Sequence, residues 1–216
     1  MTSPTEAARP ESADAAGAEN GAAAEPPADA SRLWLVALRD VALVLAALSL
    51  WAGADTAYVV TRTVFAAILA SGGGLLVGAA VGALLHEWGH FAGARLSGGT
   101  APLAPAKGFL PLFNFDFKRS EPRHFQAMSV CGNVAHWLVV LTLAAALPIE
   151  TPGRVALVSG SFGFALFASI TEFPVILKNH EGVAPLEALR TIRPDFLVRN
   201  GLLGAGGAAL LSVVLA

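Results

Sequence analysis

From residue 33 onward the chain keeps returning to apolar runs long enough to cross a bilayer. A spanning helix needs about 20 mostly apolar residues. Runs at about 33–53, 75–96, 124–147, 155–177 and 201–216 meet or approach that length. The composition agrees: 55% of the 216 residues are hydrophobic and 14% charged, against about 45–50% and 25% in soluble domains. These runs predict an all-α polytopic membrane domain over residues 32–216, with about five transmembrane helices, rather than a water-soluble core. Residues 57–71 are apolar but short, and read as an interfacial or tilted helix ended by Ser71-Gly72-Gly73-Gly74. Arg39 and Asp40 interrupt the first run, where they can pair with each other or sit at the interface.

The segments between the runs are polar in distinct ways. Residues 1–31 hold six acidic residues and one Arg among Ala, Pro and Ser, which reads as a disordered acidic tail. It lacks the basic start and short apolar core of a secretory signal peptide. Phe113, Phe115 and Phe117 alternate with Asn114, Asp116 and Lys118, a strand period that predicts a short β-like membrane-associated loop. Arg95, Lys107, Lys118, Arg119 and Arg123 fall in one connection, and Lys178, Arg190, Arg193 and Arg199 in another. The connection at 148–154 has only Arg154. The positive-inside rule then puts both basic connections and the N-terminus in the cytoplasm, as for a multi-pass protein of a bacterial cytoplasmic membrane. No phosphate-binding Gly-rich loop or basic nucleic-acid patch is present, so nucleic acid is not an expected partner.

The run at 75–96 carries His86-Glu87-Trp88-Gly89-His90, an H-E-x-x-H pattern. Two His four residues apart share one helical face and can reach one zinc ion at about 2.0–2.1 Å. Glu87, rotated by one residue, is free to take a proton from an activated water and return it to a leaving amine. An ionisable residue at the bilayer centre costs about 2.5–3.5 kcal/mol on insertion scales, and metal ligation compensates. His86 lies nine residues before Arg95, so roughly 13 Å from the cytoplasmic end. Gly74, Gly78 and Gly82 precede it at four-residue spacing, where a neighbouring helix can approach closely. The single cysteine, Cys131, allows neither an intrachain disulfide nor a Cys-rich zinc site. Any metal is therefore held by His and carboxylates.

With these residues the chain resembles the site-2 protease family of membrane-embedded zinc metalloproteases over about residues 75–182. That family follows H-E-x-x-H with a Gly-Pro-x-x-Asn pattern, where this chain has Gly132-Asn133-Val134-Ala135-His136. It then has an Asn-x-x-Pro stretch ending in Asp-Gly, whose Asp is the third ligand. Here the stretch runs from Thr171-Glu172-Phe173-Pro174 to Asn179-His180-Glu181-Gly182. Pro174 matches, Thr171 stands for the Asn and Asn179 for the Asp. The resemblance implies zinc as cofactor and a membrane protein or membrane-associated peptide as substrate.

The third ligand is ranked by burial. Glu172 sits in an apolar run beside Pro174, which removes a backbone hydrogen bond and can kink the helix toward the site. It is preferred over His180, Glu181 and Asn179, which sit at the end of the run, where solvated residues are the default. His136 is the remaining intramembrane ionisable group. It has three open roles: donor to a tetrahedral oxyanion, orienter of Glu172, or plain interhelical hydrogen bond. Asn133 is open to similar roles. Trp88 and Trp137 are read as packing, and His124 as solvated at a helix start. The expected function is zinc-dependent hydrolysis of peptide bonds in or beside the bilayer. The Phe113–Lys118 segment would act either as an edge strand for the substrate or as an aromatic belt. Two rivals stay open: a non-enzymatic membrane protein that keeps a metal site for partner binding, and a zinc hydrolase of a non-peptide bond.

Overall fold

A computed structural model describes residues 28–105 and 111–216, with side chains described from Arg32 onward. The helices are α1 (Ala28–Thr61), α2 (Val64–Leu96), α3 (Pro122–Ala146), α4 (Pro152–His180), the short α5 (Pro185–Leu189) and α6 (Pro194–Leu215). All but α5 contribute a segment long and apolar enough to cross a membrane, five in all, which is compatible with a multi-pass membrane protein. Prolines begin four of the helices, a position where the missing N–H has no intrahelical partner to lose. Thr63 and Thr151 accept from Ala66 and Arg154 at the starts of α2 and α4. The acidic tail expected over 1–31 lies outside the described residues as far as residue 27, and Lys107 also falls outside them.

Three sequence-based boundaries are corrected. The first helix does not stop near 53 but runs to Thr61, and α2 begins at Val64. Residues 57–71 are therefore the end of one span and the start of the next, not a separate interfacial helix. The link is Arg62, in the left-handed region at φ 53°, followed by the capping Thr63. Nor does Ser71-Gly72-Gly73-Gly74 break α2. In lipid a backbone that leaves its helix finds no water to bond, so even a glycine run stays helical. The final span likewise begins earlier than expected, at Pro194, within the polar stretch 178–200.

The spans α2, α3 and α4 form the core, with α1 against α2 and α6 against α4. Helices α2 and α4 run parallel and touch backbone to backbone. A Cβ on Gly78 would lie 2.1 Å from the Leu157 carbonyl oxygen, and one on Gly160 would lie 2.2 Å from that of Leu75. On the α3 side, a Cβ on Gly89 or Gly93 would lie 2.6–2.7 Å from Ala135, Cys131 or Ala127. Lipid offers no hydrophobic drive for helices to associate, so small residues that permit close van der Waals contact take that part.

The start of α1, the 97–121 connection and the 181–193 connection share one end of the bundle. In the 97–121 connection, Ala104, Asn114 and Asp116 donate to Leu112, Pro102 and Thr100 at 2.9–3.0 Å. This makes a hairpin-like pairing with a single antiparallel bridge, Leu103–Phe113, and no named strand among the described residues. Phe113 packs on Phe91, and Phe115 and Phe117 pack around Phe125. His124 is buried rather than solvated, and its Nδ1 accepts from the Glu121 N–H at 3.1 Å.

The close approach of α2 and α4 predicts opposite effects for two alanines. Gly78→Ala drives a methyl into Leu157 and is expected to destabilise the fold by about 1–3 kcal/mol. Gly72→Ala meets nothing within 4 Å and is expected to be neutral or stabilising by about 0.5–1 kcal/mol. Thermal unfolding in detergent decides, and equal melting temperatures would refute the backbone contact.

Candidate metal centre

Three side chains from two spans converge near the middle of the bundle. His86 and His90 come from successive turns of α2, and Glu172 from α4. His86 Nε2 lies 3.0 Å from Glu172 Oε1, His90 Nε2 lies 3.2 Å from the same oxygen, and the two Nε2 atoms are 2.9 Å apart. Tetrahedral ligands about 2.0–2.1 Å from one ion stand about 3.3 Å from each other, so this triangle is close to the size a metal demands. The group could hold a metal ion. Leu96 lies ten residues beyond His86 and His180 eight beyond Glu172. At about 1.5 Å per residue the triangle sits roughly 12–15 Å in from the end that carries the two basic connections.

Each member is held from behind. The His90 Nδ1–H donates to the Met128 carbonyl at 2.9 Å. That carbonyl can only accept, so Nδ1 carries a proton, and in the neutral ring the Nε2 lone pair faces the triangle. Gly132 makes the slot for this ring: a Cβ there would fall 2.3–2.7 Å from its atoms. Asn133 Nδ2 donates to Glu172 Oε2 at 2.6 Å and to the Ser129 carbonyl at 3.1 Å, so the carboxylate presents Oε1 inward. His136 is fully buried, with Nδ1 3.0 Å from His86 Nδ1 and Nε2 3.2 Å from Ser169 Oγ. Phe164 closes the apolar side, edge-on to both His86 and His136.

The sequence-based candidates therefore separate. His86, His90 and Glu172 come together. His136 stands behind His86 with both ring nitrogens engaged, which leaves neither for an oxyanion, and Asn133 rather than His136 orients Glu172. His180 and Glu181 are exposed, and Asn179 donates to the Val183 carbonyl at 3.2 Å, closing the end of α4. Glu87 is half-buried and has no hydrogen-bond or ion-pair partner among the described residues. Trp88 and Trp137 do more than pack. Trp88 Nε1 donates to Asp40 at 2.9 Å and Trp137 Nε1 donates to Ser169 at 2.9 Å. Ser169 is not singled out by the sequence, and Gly132 enters it only as the glycine of the Gly132–His136 pattern. Ser169 carries no motif, and the need for a glycine at 132 is visible only once the His90 ring is in place.

Comparison with family models, curated proteins and solved structures finds no match to this chain. The functional reading therefore rests on the site itself.

If Glu172 completes the site, Glu172→Gln should lose bound zinc in a mild chelator wash, while His180→Ala and Glu181→Gln should retain it. Zinc stoichiometry by elemental analysis distinguishes them. Retention in Glu172→Gln with loss in either of the others would move the third ligand to the end of α4.

Proposed function

We propose that this chain is a membrane-embedded zinc metalloprotease of the site-2 protease type, cutting peptide bonds in or beside the bilayer. The observation that carries the reading is the meeting of three ligand atoms, His86 Nε2, His90 Nε2 and Glu172 Oε1, beside a Glu87 that has no hydrogen-bond or ion-pair partner among the described residues. The donor set suits zinc: two imidazoles and a carboxylate leave one position open, the pattern of catalytic rather than structural sites. The same donors would serve a metal site kept only for partner binding. Glu87 tips the balance, because binding alone needs no spare carboxylate next to the ligands.

When bound, zinc supplies Lewis-acid activation of water and of the scissile carbonyl. Glu87 takes the proton of the attacking water and passes it to the leaving amine, a role that its freedom from other hydrogen bonds leaves open. Asn133 keeps Glu172 from rotating, and the Gly132 slot keeps His90 in line. Side-chain exposure rises from 7% at His86 to 12% at His90 and 20% at Glu172, so the substrate approaches over Glu172 and His90. A helical substrate must be unwound to be cut. The backbone groups of Phe113 and Phe115 make no backbone hydrogen bond among the described residues, which supports the edge-strand reading of the hairpin.

For orientation, the shared end of the two basic connections and the start of α1 supports a cytoplasmic N-terminus by the positive-inside rule. In a Cys131→Ser background, an Arg119→Cys label should be reached only by membrane-permeant reagents. Reaction with an impermeant outside reagent would invert the topology.

The enzyme reading makes a sharper demand. Glu87→Gln should keep zinc at the wild-type level and abolish cleavage of a reconstituted membrane substrate, a loss expected in turnover rather than in substrate affinity. Unchanged cleavage would remove Glu87 from the chemistry. Unchanged biological output without any cleavage would favour the non-enzymatic alternative.

A further inference from the structure

Behind the three candidate ligands lies a chain of polar groups whose protons can be placed by elimination. Asn133 Nδ2 faces the Ser129 carbonyl, which can only accept, so the amide is oriented with its NH2 there and on Glu172. Its Oδ1 then faces Ser169 Oγ at 3.2 Å and can only accept, so the single hydroxyl proton of Ser169 goes to Asn133. Trp137 Nε1, which can only donate, fills one lone pair of Ser169. His136 Nε2 lies 3.2 Å from the same hydroxyl and finds no proton left to accept, so it donates. In a neutral, fully buried imidazole the other nitrogen is then an acceptor. His86 Nδ1, 3.0 Å away, must supply the proton. His86 is left with a bare Nε2 aimed at Glu172 and His90.

We infer that Ser169 and His136 are positioning residues that set His86 in its metal-binding tautomer, with Ser169 also fixing Glu172 through Asn133. Every donor and acceptor of Ser169 is used once, so the proton order of the whole relay runs in one direction. Its product is three acceptors within about 3 Å of one another, His86 Nε2, His90 Nε2 and Glu172 Oε1. Such a cluster repels itself unless a cation lies between its members. The inference rests on the reading of this triangle as a metal site. It adds that one hydroxyl, just before the Thr171–Pro174 stretch, governs two of the three ligands. Outer partners of this kind typically change metal affinity 10–100-fold.

The test uses full-length protein in detergent, labelled with 15N at its five histidines and assigned by single substitutions. In the metal-free wild type, ring 15N shifts should show His86 protonated at Nδ1 and His136 at Nε2. Zinc affinity, measured by competition with a chelating dye, should fall about 10–100-fold in Ser169→Ala and in His136→Leu. His136→Asn, which keeps an acceptor near His86 Nδ1, should recover most of the loss. A wild-type His86 protonated at Nε2 would overturn the relay, and so would Ser169→Ala with unchanged zinc affinity. The wild-type spectrum decides even if a variant fails to fold. Absence of zinc binding by the wild type would instead sink the metalloprotease reading. Zinc binding with the expected tautomers but no proteolysis would leave the relay standing and remove only the enzyme.

Discussion

The contact on which the site depends is the parallel approach of α2 and α4, backbone against backbone. Gly74 meets Gly153, Gly78 meets Leu157 and Ser161, and Gly82 meets the Phe164 ring. One turn further along α2, the same face carries His86, and one more turn His90. The matching advance along α4 arrives at Glu172. A side chain larger than hydrogen at 74 or 78 would push the helices apart at the base of this ladder, and the imidazoles would no longer reach the carboxylate. The glycines that serve packing and the histidines of the candidate metal centre are thus one four-residue pattern, read off one face of one helix. The loss of helix propensity at each glycine is tolerable because lipid leaves the backbone no alternative partner.

The arrangement has a dry side and an open side. His136, Ser169 and Asn133 are all buried, packed among Phe164 and the backbones of α3 and α4. Glu172 and His90 keep partial exposure. Groups that must hold one proton order sit where water cannot compete for their hydrogen bonds. The candidate ligands Glu172 and His90 sit where a molecule from outside the bundle can reach them. Gly132 and Asn133 divide these tasks between adjacent residues on α3, the first by being absent as a side chain against His90, the second by gripping Glu172.

Much of this was legible in the sequence, for physical reasons that also mark where legibility ends. The number of spans follows from apolar length, which lipid enforces strictly. His86, Glu87 and His90 follow from a spacing that only a helix makes useful. Glu172 could be ranked first because a carboxylate in an apolar run must have a partner, whereas His180 and Glu181 need none. The glycine run at 71–74 misled because glycine breaks helices in water, where the freed backbone is solvated. His124 misled because a histidine near a helix start can bond back to the backbone N–H before it. Ser169 was invisible. Intramembrane serines are ordinary: Ser161 merely bonds back to Val158. What distinguishes Ser169 is the meeting of Trp137, His136 and Asn133 around it, a fact of tertiary geometry that one-dimensional spacing does not carry.

Asp40 and Asp55 are buried in these spans and Glu172 is half-buried, and the three carboxylates are partnered differently. Asp40 is paired with Arg39 at 2.7 Å and receives the Trp88 N–H. Asp55 is paired with Arg154 at 3.3 Å and receives the Thr151 hydroxyl at 2.6 Å. In both cases the chain supplies a permanent positive charge and a neutral donor, the combination that makes a buried carboxylate tolerable. Glu172 receives a neutral donor too, from Asn133, but no arginine or lysine is paired with it among the described residues. Its charged-side neighbours are two histidines. One of them, His90, donates its Nδ1–H to Met128, so in the neutral ring its lone pair faces the carboxylate. A chain that twice provides an arginine for a buried aspartate provides at the third site two imidazoles and an amide, and the imidazoles with Glu172 form a donor set that could hold a metal ion.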